Sequence, residues 1–189
     1  HEAKLPLASL NLIVHNHKEL SDKKITEQLK RLDDDIEQVL YYVRSENAEK
    51  DYLIKETEIA KVISNVAIKN KDILLENNID FEVEVGNTKV LTDSKWLEFI
   101  VNQIVSNSIK YIRNDVEHLI KITTEENNKN VILKIYDNGI GISKSDIPKV
   151  FDKTFTGNNG RKIKTTTGMG LYISKQLCKK LGHKITADS

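Results

Sequence analysis

The apolar positions of the chain change period near residue 50. Before it, Ile25, Leu29, Leu32, Ile36, Val39 and Val43 step by four and three residues, the seam of a helix packed as in a coiled coil. Leu5, Ala8 and Leu12 repeat that spacing in an earlier arm, and the polar stretch 16–24 supplies a turn between the two. Residues 1–46 are therefore expected as a helical hairpin. Two short helices bury little apolar surface alone, so the hairpin is expected to pair with a second copy into a four-helix bundle, making the protein a homodimer.

The polar run 47–52 reads as a linker, after which the pattern is mixed. A strand is expected over 52–57, then a helix over 58–76 with Ile59, Val62, Ile63, Val66, Ile73 and Leu74 inward. Ile79 to Val85 alternates like a strand, Gly86-Asn87 turns the chain into a short strand at 89–91, and Asp93 is a suitable N-cap for a helix over 94–112. Strands follow at 118–124 and 131–136. From Gly170 the positions Leu171, Ile173, Ser174, Leu177 and Leu181 are helical, closed by Gly182. The chain opens on His1 without an initiator Met and ends on Ile-Thr-Ala-Asp-Ser, which reads as a strand cut short; a fragment is expected, with its second domain, 53–189, truncated at the C-terminus.

Composition narrows the classes. Of 189 residues, 39% are apolar and 30% charged, ordinary for a globular protein able to bury a core. Twenty-nine basic against 28 acidic residues leave a net charge of +1, so no global field favours nucleic acid or an anionic membrane. No apolar run approaches the roughly 20 residues of a membrane helix, so the chain by itself is expected to be soluble. Cys178 is the sole cysteine, which excludes an intrachain disulfide and reads as a small buried hydrophobe.

Candidate chemistry sits in three places. Asp137 ends an apolar strand and could accept a hydrogen bond from an amine such as that of adenine, while Gly139 and Gly141 allow positive φ and close approach to a flat ligand. On the 94–112 helix, Leu97, Val101, Ile104, Val105, Ser108 and Ile112 form a packing face; Gln103, Asn107 and Lys110 share roughly the opposite side. A carboxamide at Asn107 suits Mg2+, and Lys110 suits phosphate oxygens. Residues 153–164 hold Lys153, Arg161, Lys162 and Lys164 with no acid, a positive loop that leads to Thr167-Gly168-Met169-Gly170 and the free amides of a helix start. Taken singly, each has an ordinary alternative: a glycine turn, a solvated helix face, a loop. His1, His15, His17, His118 and His183 likewise read, one by one, as solvated histidines.

Together, Gln103-x-x-x-Asn107-x-x-Lys110-Tyr111, Asp137-x-Gly139-x-Gly141, the pair Phe151 and Phe155, and Gly168-Met169-Gly170-Leu171 resemble the ATP-binding domain of bacterial sensor histidine kinases. His1-Glu2-x-Lys4-x-Pro6 ahead of a helical hairpin is similar to their phosphoacceptor box. The resemblance covers nearly the whole chain. It implies an α+β protein: a dimerising hairpin, then a Bergerat-type α/β sandwich whose mixed sheet is covered on one face by helices, with ATP on the helical side. It implies that Asp137 binds the adenine amine, with Gly139 and Gly141 beside the ring. Asn107 would ligate Mg2+, Gln103 and Lys110 serve the phosphates, and Tyr111 line the pocket. Arg161 and Leu171 would belong to the nucleotide site, and Gly168 and Gly170 would contact phosphates through their amides. His1 would accept the γ-phosphate with Glu2 as base, then pass it to an aspartate of a response-regulator receiver domain. A cytoplasmic domain of a membrane protein is implied, linked to the membrane only through a missing N-terminal segment. Trp96-Leu97-x-Phe99-Ile100 and the Thr-Gly-Asn-Asn-Gly-Arg loop further resemble the intramembrane-sensing subtype that responds to envelope-active peptides.

Leu5 stands where phosphatase-competent members of that family often carry Thr or Asn, which predicts poor dephosphorylation of the regulator. Two other readings compete with the autokinase. One is an ATPase of the related chaperone, gyrase and mismatch-repair group, against which the His1 box argues. The other is a non-catalytic nucleotide-binding dimer module.

Overall fold

The computed structural model describes residues 52–113, 115–127, 129–157 and 167–189, together with Leu29, Leu32 and Ile36. The chain divides into two units, residues 1–50 and 51–189. Leu29, Leu32 and Ile36 are helical, in keeping with the seam expected there, and Leu32 is exposed. The rest of the expected hairpin and its pairing lie outside the described residues.

The second unit is α+β. Strand β1 (Lys55–Glu58) leads into helix α1 (Ile59–Glu76), then come β2 (Ile79–Glu84), β3 (Lys89–Thr92), helix α2 (Ser94–Lys110), β4 (His118–Glu126), β5 (Val131–Asp137), a 3-10 turn (Ile147–Lys149) and helix α3 (Gly170–Lys180). β1 pairs antiparallel with β3, Thr57 opposite Val90. β2, β4 and β5 form a mixed sheet with β4 central: β2 runs parallel to it, Ile79 beside His118, and β5 antiparallel, Ile135 beside Ile122. Because strand side chains alternate, one face of this sheet is apolar and buries Ile79, Ile120 and Ile122 against Val62, Ile63 and Val66 of α1 and Val101 and Val105 of α2. The other face is charged, where Lys121 pairs with Glu82 at 3.0 Å and Glu84 at 2.7 Å, and Lys134 with Glu125.

Local sequence accounts for the element ends. Asp93 caps α2 by accepting from the amides of Lys95 (2.9 Å) and Trp96 (3.2 Å), and its second oxygen takes the amide of Leu53 at 2.8 Å. The Tyr52 ring packs on Trp96 with centroids 5.5 Å apart, so the last residue of the expected 47–52 linker is already fastened to α2. Helix α1 ends at Asn77 and Asn78, the latter at φ +51°, a conformation asparagine tolerates. Helix α3 ends in a Schellman motif: Gly182 stands at φ +75°, and the amides of Gly182 and His183 reach the carbonyls of Lys179 (3.3 Å) and Cys178 (2.7 Å).

Three expectations need correction. Residues 185–189, expected as a strand cut short, form no strand, although half-buried Ile185 and Ala187 alternate with exposed neighbours as a strand would. His118 and His183 are not simply solvated. The ring of His118 bridges the carbonyls of Asn77 (2.9 Å) and Arg113, while Nε2 of His183 lies 2.8 Å from the Thr92 hydroxyl. Helix α2 is buried more widely than one stripe, since Trp96, Phe99, Ile100 and Ile109 are buried besides Val101, Val105 and Ser108. The cause is that α2 lies between neighbours, packing against α1, α3 and β5.

Candidate functional site

Asp137 is the last residue of β5, and the C-terminal half of α2 runs beside it. Its carboxylate is braced on both oxygens: Oδ2 accepts from the Ser108 hydroxyl at 2.8 Å and Oδ1 from the Gly139 amide at 3.0 Å. Each oxygen keeps a lone pair, and the residue is exposed, so the fixed carboxylate can still accept from a ligand. The adjoining turn is tied to the helix end, where the amide of Ile140 donates to the Tyr111 carbonyl at 2.9 Å.

Gly139 is required by space. A Cβ there would stand 2.5 Å from the Tyr111 carbonyl oxygen and 2.8 Å from Asp137 Oδ1. Only Gly141 of the two glycines has positive φ, at +70°, so the expectation of positive φ at both holds for one and close approach explains the other. Asn138, between Asp137 and Gly139, escaped sequence reasoning. Its side chain accepts from the amide of Leu119 at 2.9 Å and donates to the Glu117 carbonyl at 2.7 Å, fixing the turn to the start of β4. The signal available was an asparagine inside Asp-x-Gly, a residue that bonds readily to backbone.

The polar stripe of α2 faces protein as well as solvent. Gln103, Asn107 and Lys110 are all half-buried. Gln103 reaches the start of α3: its Oε1 occupies the place a Cβ on Gly170 would take. Asn107 accepts the amide of Tyr111 at its main-chain carbonyl, 3.0 Å, and its carboxamide has no hydrogen-bond partner among the described residues. A half-buried carboxamide left open in this way suits a hard cation that keeps most of its waters. Among the described residues no three His, Cys, Asp or Glu side chains converge, so an all-protein metal cage is not formed there. Burial pushes the Tyr111 phenol above its ordinary pKa, which keeps it neutral.

At the start of α3, Gly168 has φ +65° and its Cβ position is filled by the Thr154–Phe155 backbone at 2.6 to 2.8 Å. The chain on either side of residues 158–166 is thereby brought together. Lys175 of α3 stands over the Phe151 ring, 5.5 Å from its centroid. Among the described residues no side chain caps the amides at the start of α3, and Leu171 behind them is half-buried. The structure thus gathers Asp137, Gly139 and Tyr111 with Ser108 at one end, and Gln103 with Gly170 at the other, with Asn107 one helical turn from both Gln103 and Tyr111. His1, Glu2 and Arg161 lie outside the described residues.

Residues 92–189 match the family model described as histidine kinase-, DNA gyrase B-, and HSP90-like ATPase. The sensor histidine kinase YxdK of Bacillus subtilis (strain 168) is 29% identical over all of this chain and 58% of its own length. The sensor protein kinase GraS of Staphylococcus aureus (strain Newman) is 32% identical over all of this chain and 54% of its own. The chain thus spans little more than half the length of these relatives. Histidine kinase ThkA, solved in complex with the response regulator protein TrrA, shares the fold at a TM-score of 0.66 and 21% identity, over 97% of this chain and 52% of that one. No helix among the described residues is long and apolar enough to cross a membrane.

Proposed function

The chain belongs to the histidine kinase-, DNA gyrase B-, and HSP90-like ATPase family, and we propose that it is the dimerising and ATP-using part of a sensor histidine kinase. In this reading residues 1–46 form the hairpin that pairs with its copy, 47–52 link it to the second unit and hinge ahead of the fastened Tyr52, and 53–189 bind ATP with Mg2+. The whole protein would be membrane-anchored with this part in the cytoplasm. Its phosphoryl group would pass from ATP to His1 and on to an aspartate of a response-regulator receiver domain. The names of the relatives and the solved complex of ThkA with a response regulator support this reading.

The observation that carries the nucleotide assignment is the braced, exposed carboxylate of Asp137 beside a helix that also presents Asn107 and Gln103. Asp137 accepts from the 6-amino group of adenine, and Tyr111 lines the base pocket. Asn107 holds Mg2+, while Gln103, Lys110, Arg161 and the amides of Gly168, Gly170 and Leu171 serve the phosphates. When bound, Mg2+ spreads the negative charge of the transferring group. His1 attacks the γ-phosphorus through the lone pair of one ring nitrogen, and Glu2 takes the proton from the other. The new P–N bond forms as the bridging P–O bond to the β-phosphate breaks, and ADP leaves with that electron pair. Leu5 cannot hold a water in line, so hydrolysis of the regulator's phosphate is slow.

The test is incubation with γ-labelled ATP and Mg2+. Label should remain on the protein, survive base, be lost in acid and be absent from His1→Gln. Free phosphate without labelled protein would instead indicate an ATPase, and neither would indicate a non-catalytic module.

A further inference from the structure

We infer that Ser108 is a positioning residue for adenine recognition, setting the orientation in which Asp137 meets the base. Ser108 is 3% exposed on a helix face otherwise filled by Val101 and Val105, a place where a hydroxyl must find a partner or cost stability. Two acceptors are within reach: the carbonyl of Ile104 at 3.2 Å and Asp137 Oδ2 at 2.8 Å. A hydroxyl has one proton. The first contact is the back-bond any helical serine can make and would give Ser108 no function. The second is shorter and charge-assisted, and it takes the proton.

The consequence for Asp137 is geometric. A carboxylate at a strand end rotates about its last bond unless both oxygens are held. Gly139 holds Oδ1 through its amide, and Ser108 is the side chain that holds Oδ2. With both engaged, the free lone pairs keep one direction, so the acceptor for the amine is oriented before the ligand arrives. An alanine at 108 leaves Asp137 tethered by Oδ1 alone. The base is then read by a rotating acceptor, and the loss falls on ligands that own the 6-amino group.

This rests on the proposed adenine reading, and the experiment separates the two. Binding of ATP and of purine riboside triphosphate, which lacks the 6-amino group, is measured by calorimetry with Mg2+ for the wild-type chain, Ser108→Ala and Ser108→Thr. If the wild type does not prefer ATP, Asp137 does not read the amine and the inference falls with it. Given that preference, Ser108→Ala should lower it about tenfold, as expected for one charge-assisted hydrogen bond, with purine riboside triphosphate bound as before. Ser108→Thr, which keeps the hydroxyl, should retain it. An unchanged ratio in Ser108→Ala, or equal weakening of both ligands, overturns the inference. Should Ser108→Ala fail to fold, Ser108→Cys takes its place, since a thiol fills the space but donates weakly, and the same ratio decides.

Discussion

The two ends of the candidate site are built in different ways. At the end proposed for the base, three groups are fixed by backbone or by a buried side chain: Asp137 between Ser108 and Gly139, Ile140 on the Tyr111 carbonyl, Asn138 across the start of β4. At the phosphate end, the groups brought together include the tip of a flexible glutamine, Gln103, against the first residue of α3. Reading a flat base requires an acceptor that stays still, whereas many amides and cations can share a phosphate chain and tolerate adjustment. In the proposed reading, rigidity falls where the base would be discriminated.

Paired glycine substitutions break this comparison most forcefully. In Gly139→Ala the new methyl meets a backbone carbonyl at 2.5 Å, which cannot withdraw without moving the end of α2. A loss of about 3 kcal/mol in urea unfolding is expected, with ATP binding weakened on the order of a hundredfold as Asp137 is displaced. An unaltered midpoint would mean that the turn yields easily. Asn107→Ala should weaken Mg2+-dependent ATP binding about tenfold, as for one lost ligand or charge-assisted bond, and flatten its dependence on Mg2+. An unchanged Mg2+ titration would remove Asn107 from the metal. Gly170→Ala differs from Gly139→Ala, since its methyl meets Gln103 Oε1, the far end of a side chain that can turn away. Its unfolding free energy should change by less than about 1 kcal/mol, helix propensity offsetting the contact, while nucleotide affinity drops a few-fold. A large destabilisation would show that Gln103 is held as firmly as Asp137.

The smallest effect lies outside the site. Burial lowers the pKa of His183, half-buried against Thr92, so the folded chain binds its proton less readily than the unfolded one. Stability from this residue is present above its unfolded value near 6.5 and declines as pH falls through it. His183→Gln should flatten the slope of unfolding free energy against pH below about 6.5. An unchanged slope would assign it to another group.

Much of this was legible in the sequence, for identifiable reasons. Period and caps are local, so Asp93, Gly182 and the helix–strand order could be read directly. The motif residues Asp137, Gly139, Gln103 and Gly170 could be named but not joined, because their contacts span tens of residues. The sequence places Ser108 on a packing face, because serine among valines shows only where it points, not that a carboxylate from β5 waits there. The sequence gives Gly139 two reasons, positive φ and close approach to a flat ligand, whereas the structure adds the carbonyl of Tyr111, which no local pattern announces. The breadth of burial on α2 exceeds what its periodicity shows, because a single stripe is the rule for a helix covered on one side, and α2 is covered on more.

The central claim is that Asp137 makes this an adenine site, and calorimetric titration of the chain with ATP and with GTP in Mg2+ tests it most directly. Guanine presents a carbonyl where adenine presents an amine, setting two acceptors against each other at a carboxylate that Ser108 and Gly139 prevent from turning. ATP should bind at least about a hundredfold more tightly than GTP, and Asp137→Asn should abolish the difference. Equal affinities for the two nucleotides in the wild-type chain would contradict the account.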